Sequence, residues 1–212
     1  MKRLALIGSK DFAKQIQTYV ETKGMYSVVG YFDDFEKKGT IIRNKPVLGR
    51  ISDVEDCYND NQFDFVFFAV GYNNFKFRDD SFTKLKGKVP FANIIDETAY
   101  IGKNVSIGEG VCIWPHSSIG DNSIINDNVF IHGYTYIAHD NIIGSHSYLS
   151  GRLDTAGFCV IGKRVFLGIR TLCADHITIC DDVWIGIGCV VAKDIKQPGK
   201  YMSSAAKLYK ID

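Results

Sequence analysis

The chain has 212 residues, with 25 Lys and Arg against 24 Asp and Glu, so its formal net charge is +1. That balance gives no electrostatic footprint for a nucleic acid or other polyanion. Apolar residues make up 46% of the chain, enough for a packed core, yet no apolar run approaches the ~20 residues of a membrane span.

Met1 leads into Lys2, Arg3 and a short strand rather than an apolar signal segment, which reads as a cytoplasmic protein. The six cysteines show no CxxC spacing and are expected to be reduced, with Cys159, Cys173 and Cys189 facing a core.

In chain order, Arg3 to Ile7 reads as a buried strand and Gly8-Ser9-Lys10 as a tight turn. Asp11 to Lys23 reads as a helix with Phe12, Ile16, Tyr19 and Val20 on one face. Ser27 to Phe32 is a second strand ending on Asp33 and Asp34. Phe63 to Val70 is a third, ending on Gly71 and leading to Asn73 and Asn74. Strand–turn–helix–strand units of this kind form a parallel, Rossmann-like α/β sheet, expected over residues 1–92. Ligands of such sheets sit at the carboxyl ends of the strands. The candidate nucleotide-binding residues are therefore Gly8, Ser9, Asp33, Asp34, Gly71 and Asn73, with the Gly8 turn and the following helix start suited to a phosphate. Asp33 and Asp34 are candidates for ribose or base contacts. The turn lacks the GxGxxG fingerprint, because Lys10 and Lys14 stand where that motif has glycine, which argues against a redox dinucleotide.

From Ile95 to Val191 every sixth residue is aliphatic except Thr155 and Cys173, with no insertion. The second place of each hexad is often glycine, expected to ease a corner of the backbone, and the fifth is small or β-branched. A fixed period of six is the signature of a parallel β-helix, predicted over 93–212. Three hexads close one triangular coil, so residues 18 apart stack at roughly 4.8 Å. The open ends need covers, here the N-terminal domain and the tail from 197 to 212.

That spacing singles out His139. It occupies the third place of its hexad, pointing outward beside Asp140, an arrangement suited to a general base whose carboxylate orients the ring. One coil on lies Gly157, whose N–H is a candidate oxyanion donor and whose missing side chain lets another molecule approach. Asp175 and His176 follow after another 18. Of the remaining histidines, His116 and His132 share one edge and His146 lies on the third, so no three converge and no metal site is expected, and His132 and His146 are read as surface residues.

The hexad ladder, the turn Gly8-Ser9-Lys10-Asp11-Phe12-Ala13-Lys14 and the His139-Asp140 pair together resemble the NeuD–PglD–VioB family of sugar acyltransferases, of the left-handed β-helix class. The resemblance covers nearly the whole chain. It implies a homotrimer with acetyl-CoA as co-substrate in the groove between neighbouring β-helices. His139 would be the base, Asp140 its acidic partner and Gly157 the amide facing the thioester carbonyl. A nucleotide sugar would rest on the N-terminal domain and reach the groove of an adjacent subunit.

Two segments depart from the family pattern. Tyr148 replaces a histidine that touches the acetyl donor in some members and is itself a candidate acetyl-CoA contact, and the ending runs Tyr201-Met202-Ser203-Ser204-Ala205-Ala206-Lys207. Lys193, Lys196, Lys207 and Lys210 are candidates for CoA phosphates. The expected function is N-acetylation of a nucleotide-linked amino sugar, such as a dTDP- or UDP-4-amino-4,6-dideoxy sugar, for surface-glycan synthesis. The alternatives are O-acetylation of a sugar or sialic acid and a non-catalytic trimeric scaffold.

Overall fold

The computed structural model describes residues 1–204. The N-terminal part is a five-stranded sheet in the order β3 (Ile41–Ile42), β4 (Lys45–Gly49), β2 (Ser27–Phe32), β1 (Arg3–Ile7), β5 (Phe65–Phe68). Its central strands, β1 (Arg3–Ile7) and β2 (Ser27–Phe32), are parallel and almost wholly buried, and β5 (Phe65–Phe68) pairs with β1 in the same sense. Buried on both faces, these strands read as apolar runs rather than alternating patterns.

Helix α1 (Asp11–Thr22) follows β1 and buries Ala13, Ile16 and Val20 on the sheet. The expected third strand is shorter than predicted. An edge hairpin of β3 (Ile41–Ile42) and β4 (Lys45–Gly49) and the helices α2 (Val54–Asn59) and α3 (Phe75–Leu85) complete the unit.

Beyond Ile94 the chain coils through two-residue strands at every sixth residue, gathered into three parallel sheets. Each strand pairs with the one 18 residues away, for example Tyr136↔Asp154 and Ile137↔Thr155. The first-place aliphatics fill the interior, from Ile113 through Ile137 and Ile143 to Ile185, together with Cys159, Cys173 and Cys189. The last turn is shorter: Ile195 bridges Ile179, and Gly199–Tyr201 pairs with Val183–Ile185, both offsets of 16.

The glycines of the ladder play a different part from the one expected. Corner residues with positive φ are those in the fourth place, including Asn122, Asp140, Phe158 and His176. Second-place glycines are required by stacking instead. A Cβ on Gly144 would lie 2.4 Å from the carbonyl carbon of Gly162, and one on Gly120 would lie 2.6 Å from the His139 nitrogen.

One face of the coil carries the N-terminal domain. Its outward column runs Ile94, Cys112, Phe130, Tyr148, Phe166, Trp184, each one coil above the last. Phe166 and Trp184 stack at 3.9 Å, and Phe130 and Tyr148 at 4.7 Å. Phe12 of α1 packs edge-on against Phe130, and Tyr72 covers Tyr148 and Phe166. Burial of large aromatic rings is the main force joining the two parts.

Polar anchors add direction. Arg78 of α3 is buried and donates to both the carbonyl and the side-chain oxygen of Asn128. Its Nε and Nη1 have no partner among the described residues, and burial pulls its pKa down to about 10. Arg164 holds Asp79 of α3 at 2.7 Å and Asp182 at the same distance.

Candidate active site

Two places have the makings of a site, and in one chain they do not meet. The first is a cavity of about 580 Å³ at the carboxyl ends of β1, β2 and β5, where Gly8, Ser9, Asp33, Asp34, Gly71 and Asn73 all lie on its wall. The second is the corner bearing His139.

In the cavity, local hydrogen bonding separates residues that shape the wall from residues free to bind. Gly8 has φ +96°, and a Cβ there would press on the Ala69 carbonyl oxygen at 3.0 Å, so the turn demands glycine. Asp33 is buried and accepts from the Ser9 hydroxyl at 2.6 Å, the Ser9 N–H at 3.1 Å and the Phe35 N–H at 3.0 Å. Its carboxylate braces the turn between β1 and β2, and so does Ser9. Asp34 is exposed and gives one oxygen to the Ile51 N–H at 2.9 Å, leaving the other open. Lys10 is held by Glu36 at 2.5 Å. The start of α1 has no side-chain cap among the described residues, and its residues Asp11 and Phe12 line the cavity. Uncapped N–H groups of a helix start suit a phosphate.

The aromatic part of the lining was not foreseen. Phe12, Phe35, Tyr72, Phe77 and Tyr148 all belong to it. A signal for part of it was present: the column Phe130, Tyr148, Phe166, Trp184 has the 18-residue period of a covered face. Tyr148, expected beside the acetyl donor, stands on this docking face because it occupies the outward place of its strand. Burial raises its phenol pKa, with Tyr72 adding to the effect.

At the other place, His139 and Asp140 form the pair anticipated from their spacing, with Nδ1 2.7 Å from Asp140 Oδ2. With Nδ1–H donated to the carboxylate, the Nε2 lone pair is left as the base. Both side chains are accessible to solvent. Gly157 lies directly against the ring, since a Cβ there would come within 3.1 Å of Nε2. Its carbonyl accepts from the His176 N–H at 3.0 Å, while its own N–H has no partner among the described residues. Phe158 meets the His139 ring edge-on at 5.1 Å and stacks on His176 at 4.7 Å. Lys193 sits on the shortened last corner, lining an open hollow at the far end of the coil with Tyr201 and Met202. Lys196 lies near Asp194 at 3.9 Å. Lys207 and Lys210 lie outside the described residues.

His139 occupies the corner between the second and third faces, which in a triangular coil is opposite the docking face. The cavity and the His139 corner of one chain are thus on different sides of the coil.

Two histidines differ from expectation. His146 is buried under α3, 3.1 Å from Asp79 and 3.1 Å from the Asn128 amide. His132 is half-buried and stacks on Trp114, and burial lowers its pKa. Both were read as surface residues because a corner position says nothing of what docks against it.

With this geometry in place, comparisons with known proteins supply the fold family. The PglD N-terminal domain family matches residues 3–85. PerB from Caulobacter crescentus, in complex with CoA and GDP-perosamine, superposes with a TM-score of 0.84, at 24% identity, over 99% of this chain and 98% of that one. The chain has the fold of the left-handed β-helix sugar acetyltransferases. The acetyltransferase domain of PglB from Neisseria gonorrhoeae FA1090, in complex with acetyl coenzyme A, gives a TM-score of 0.83 at 22% identity, over 97% of this chain and 98% of that one. Over 114 residues the chain is also 32% identical to the uncharacterized protein L142 of Acanthamoeba polyphaga mimivirus, covering 54% of this chain. It spans only 21% of that relative's length. No helix among the described residues is long and apolar enough to cross a membrane.

Proposed function

We propose that this protein is an acetyl-CoA-dependent N-acetyltransferase acting on a nucleotide-linked amino sugar, working as a homotrimer with its active sites between subunits. The observation that carries the reading is the His139–Asp140 pair set against the open N–H of Gly157. The solved structures of like fold, one with CoA and GDP-perosamine and one with acetyl coenzyme A, support the pairing of a nucleotide sugar with a CoA thioester.

In this reading the nucleotide lies in the cavity, its phosphates at the start of α1 and its nucleoside by Asp34 and Phe35. The sugar points away from the coil toward a neighbour's His139. His139 Nε2 takes a proton from the amine as its nitrogen attacks the thioester carbonyl. Asp140 steadies the imidazolium, and the Gly157 N–H receives the developing oxyanion. The C–N bond forms, the C–S bond breaks, and the proton passes from His139 to the departing thiolate. Holding both substrates in one groove supplies much of the rate.

Assembly has support in the outward residues of the two undocked faces. Tyr100, Tyr136 and Leu172 are exposed on the second, and Ile124, Ile142 and Val160 on the third. On the third face Ile124, Ile142 and Val160 are consecutive rungs, an exposed apolar column of the kind that marks an interface, whereas on the second face Ser118 and Asp154 alternate with the apolar residues.

The test is CoA release from acetyl-CoA across UDP-, dTDP- and GDP-linked 4-amino sugars, their hydroxyl counterparts and sialic acid, with wild type and His139→Ala side by side. Turnover restricted to an amino sugar, reduced about 10²–10⁴-fold in the variant, is expected. Turnover with hydroxyl acceptors or sialic acid would move the reading to O-acetylation. Absence of both turnover and acetyl-CoA binding would leave a trimeric scaffold.

A further inference from the structure

The corner that carries His139 has one residue out of keeping with the rest of the ladder. Its fourth-place column runs Asn104, Asn122, Asp140, Phe158, His176, one coil apart and all left-handed, with φ between +57° and +60°. Asparagine and aspartate enter that region readily, whereas a bulky side chain there is uncommon. Glycines aside, Phe158 is the only described residue with positive φ whose side chain has no hydrogen-bonding group. Burial does not account for it, because Phe158 is 47% exposed. An apolar ring in an uncommon backbone state at a half-exposed corner calls for a functional reason.

Its contacts supply one. The Phe158 ring stands at 88° to the His139 imidazole, with 5.1 Å between centroids. It lies nearly parallel to the His176 ring, at 9° and 4.7 Å. The backbones are tied as well: the Phe158 N–H donates to the His139 carbonyl at 3.2 Å, and the His176 N–H to the Gly157 carbonyl at 3.0 Å. The three rings thus form one continuous stack on the hydrogen-bonded ladder.

The stack meets a need that Asp140 cannot. Asp140 takes the Nδ1 proton at 2.7 Å, but a single hydrogen bond fixes one point of the ring and leaves the ring free to swing about it. Both partners are accessible to solvent, so water competes for that bond. Gly157 has no side chain with which to hold Cε1 and Nε2. A perpendicular aromatic contact is directional, since the edge of one ring is drawn to the face of the other. It sets the plane of the imidazole where the hydrogen bond sets only a hinge. Phenylalanine also has nothing to donate to Nε2, as an asparagine at this corner would, so the lone pair stays free.

We infer that Phe158, backed by His176, is a positioning residue that fixes the plane of the His139 ring and keeps Nε2 available to the attacking nitrogen. The inference rests on the acetyl-transfer reading above.

Phe158→Asn removes the ring at a backbone position that asparagine tolerates. In steady-state kinetics with the acceptor that wild type uses, kcat should fall about tenfold, the worth of one such ring contact, while KM for each substrate stays within about twofold. Phe158→Tyr, which restores the ring, should bring kcat back to within about threefold of wild type. Melting temperature and sedimentation should match wild type. Nitrogen-15 NMR of the imidazoles gives a readout that needs no turnover. His139 should hold one Nδ1–H tautomer in wild type and Phe158→Tyr, and become a mixture of tautomers in Phe158→Asn. If Phe158→Asn fails to fold, His176→Asn leaves residue 158 intact and should show the same change at about threefold in kcat.

Wild-type kcat and a single His139 tautomer in the folded variant would overturn the inference. So would a raised KM for the acceptor at wild-type kcat, which would make the ring a surface for the sugar. A smaller sedimenting species would make it a contact between subunits and overturn the inference too. A mixture of tautomers in Phe158→Asn, with no acetyl transfer by wild type to any acceptor, would support the positioning role and count against the transferase reading.

Discussion

The His146 Nε2 lies 3.1 Å from Asp79 Oδ1, while its Nδ1 faces the Asn128 side-chain nitrogen at 3.1 Å. Arg78 already donates to the Asn128 side-chain oxygen, so the amide must present its NH₂ to the ring. His146 Nδ1 is therefore an acceptor and Nε2–H the donor to Asp79. Arg164 holds the other Asp79 oxygen at 2.7 Å and answers its charge, which leaves the imidazole neutral.

Burial, with Arg78 and Arg164 nearby, lowers the His146 pKa to about 4 against the pull of Asp79. An unfolded histidine titrates near 6.5, so the unfolded chain binds the proton more readily than the folded one. The stability contributed by neutral His146 is complete above about pH 6.5 and is lost as pH falls toward 4. Thermal melts between pH 7.5 and 4.5 should show a progressive fall in Tm, and His146→Gln should flatten that dependence. Equal pH slopes in the two proteins would remove His146 as the titrating group.

Gly157→Ala should cripple transfer without unfolding the coil. The added methyl would stand 2.9 Å from His139 Cε1, so the ring must turn away from both Asp140 and the acyl carbon. A displacement of that size costs about 10²-fold in kcat. Steady-state kinetics beside a melting curve checks it: a kcat within twofold of wild type would show that the ring position is not critical.

Asp140→Asn keeps the shape of the pair and removes the charge that holds Nδ1–H. An amide can instead donate to Nδ1, placing the proton on Nε2 and blocking the base. The expected outcome is a loss of activity of about 10²-fold or more, partly recovered by Asp140→Glu. Proton NMR of the imidazole would report the change of tautomer.

Gly144→Ala should be far more damaging to stability than Gly71→Ala. At Gly144 the new methyl meets the backbone of Gly162 at 2.4 Å, whereas nothing among the described residues lies within 4 Å of a Cβ at Gly71. Overpacking against rigid backbone costs at least about 1–3 kcal/mol. Denaturant midpoints of the two variants would separate them, and similar midpoints would refute the stacking role of the second-place glycines.

Ile142→Glu places a charge in the exposed apolar column of the third face. If that column is the contact between copies, the variant should sediment as a smaller species than wild type and lose transfer activity together with assembly. Unchanged sedimentation would shift the contact to the face bearing Tyr136 and Leu172.

Much of this was legible in residue order. A period of six admits one architecture, because each hexad supplies one strand and one corner and the inward places must be aliphatic. The same periodicity places Gly157 above His139, and adjacency in sequence is enough to pair His139 with Asp140. Strand ends of β1, β2 and β5 converge in any parallel sheet, so Gly8, Asp34 and Gly71 could be named together. What lies against a surface is a different matter. Whether His146 is wet or buried depends on α3, more than 60 positions earlier, and Asp33 proves to brace Ser9 because of a hydrogen bond that spacing does not show. Tyr148 belongs to the aromatic wall because its face happens to be the docked one. Short-range periodicity encodes the coil and the reactive corner, since their contacts recur at a constant 18 residues. The docked face, the cavity wall and the separation of cavity from base arise from packing between distant segments, and only the tertiary structure decides them.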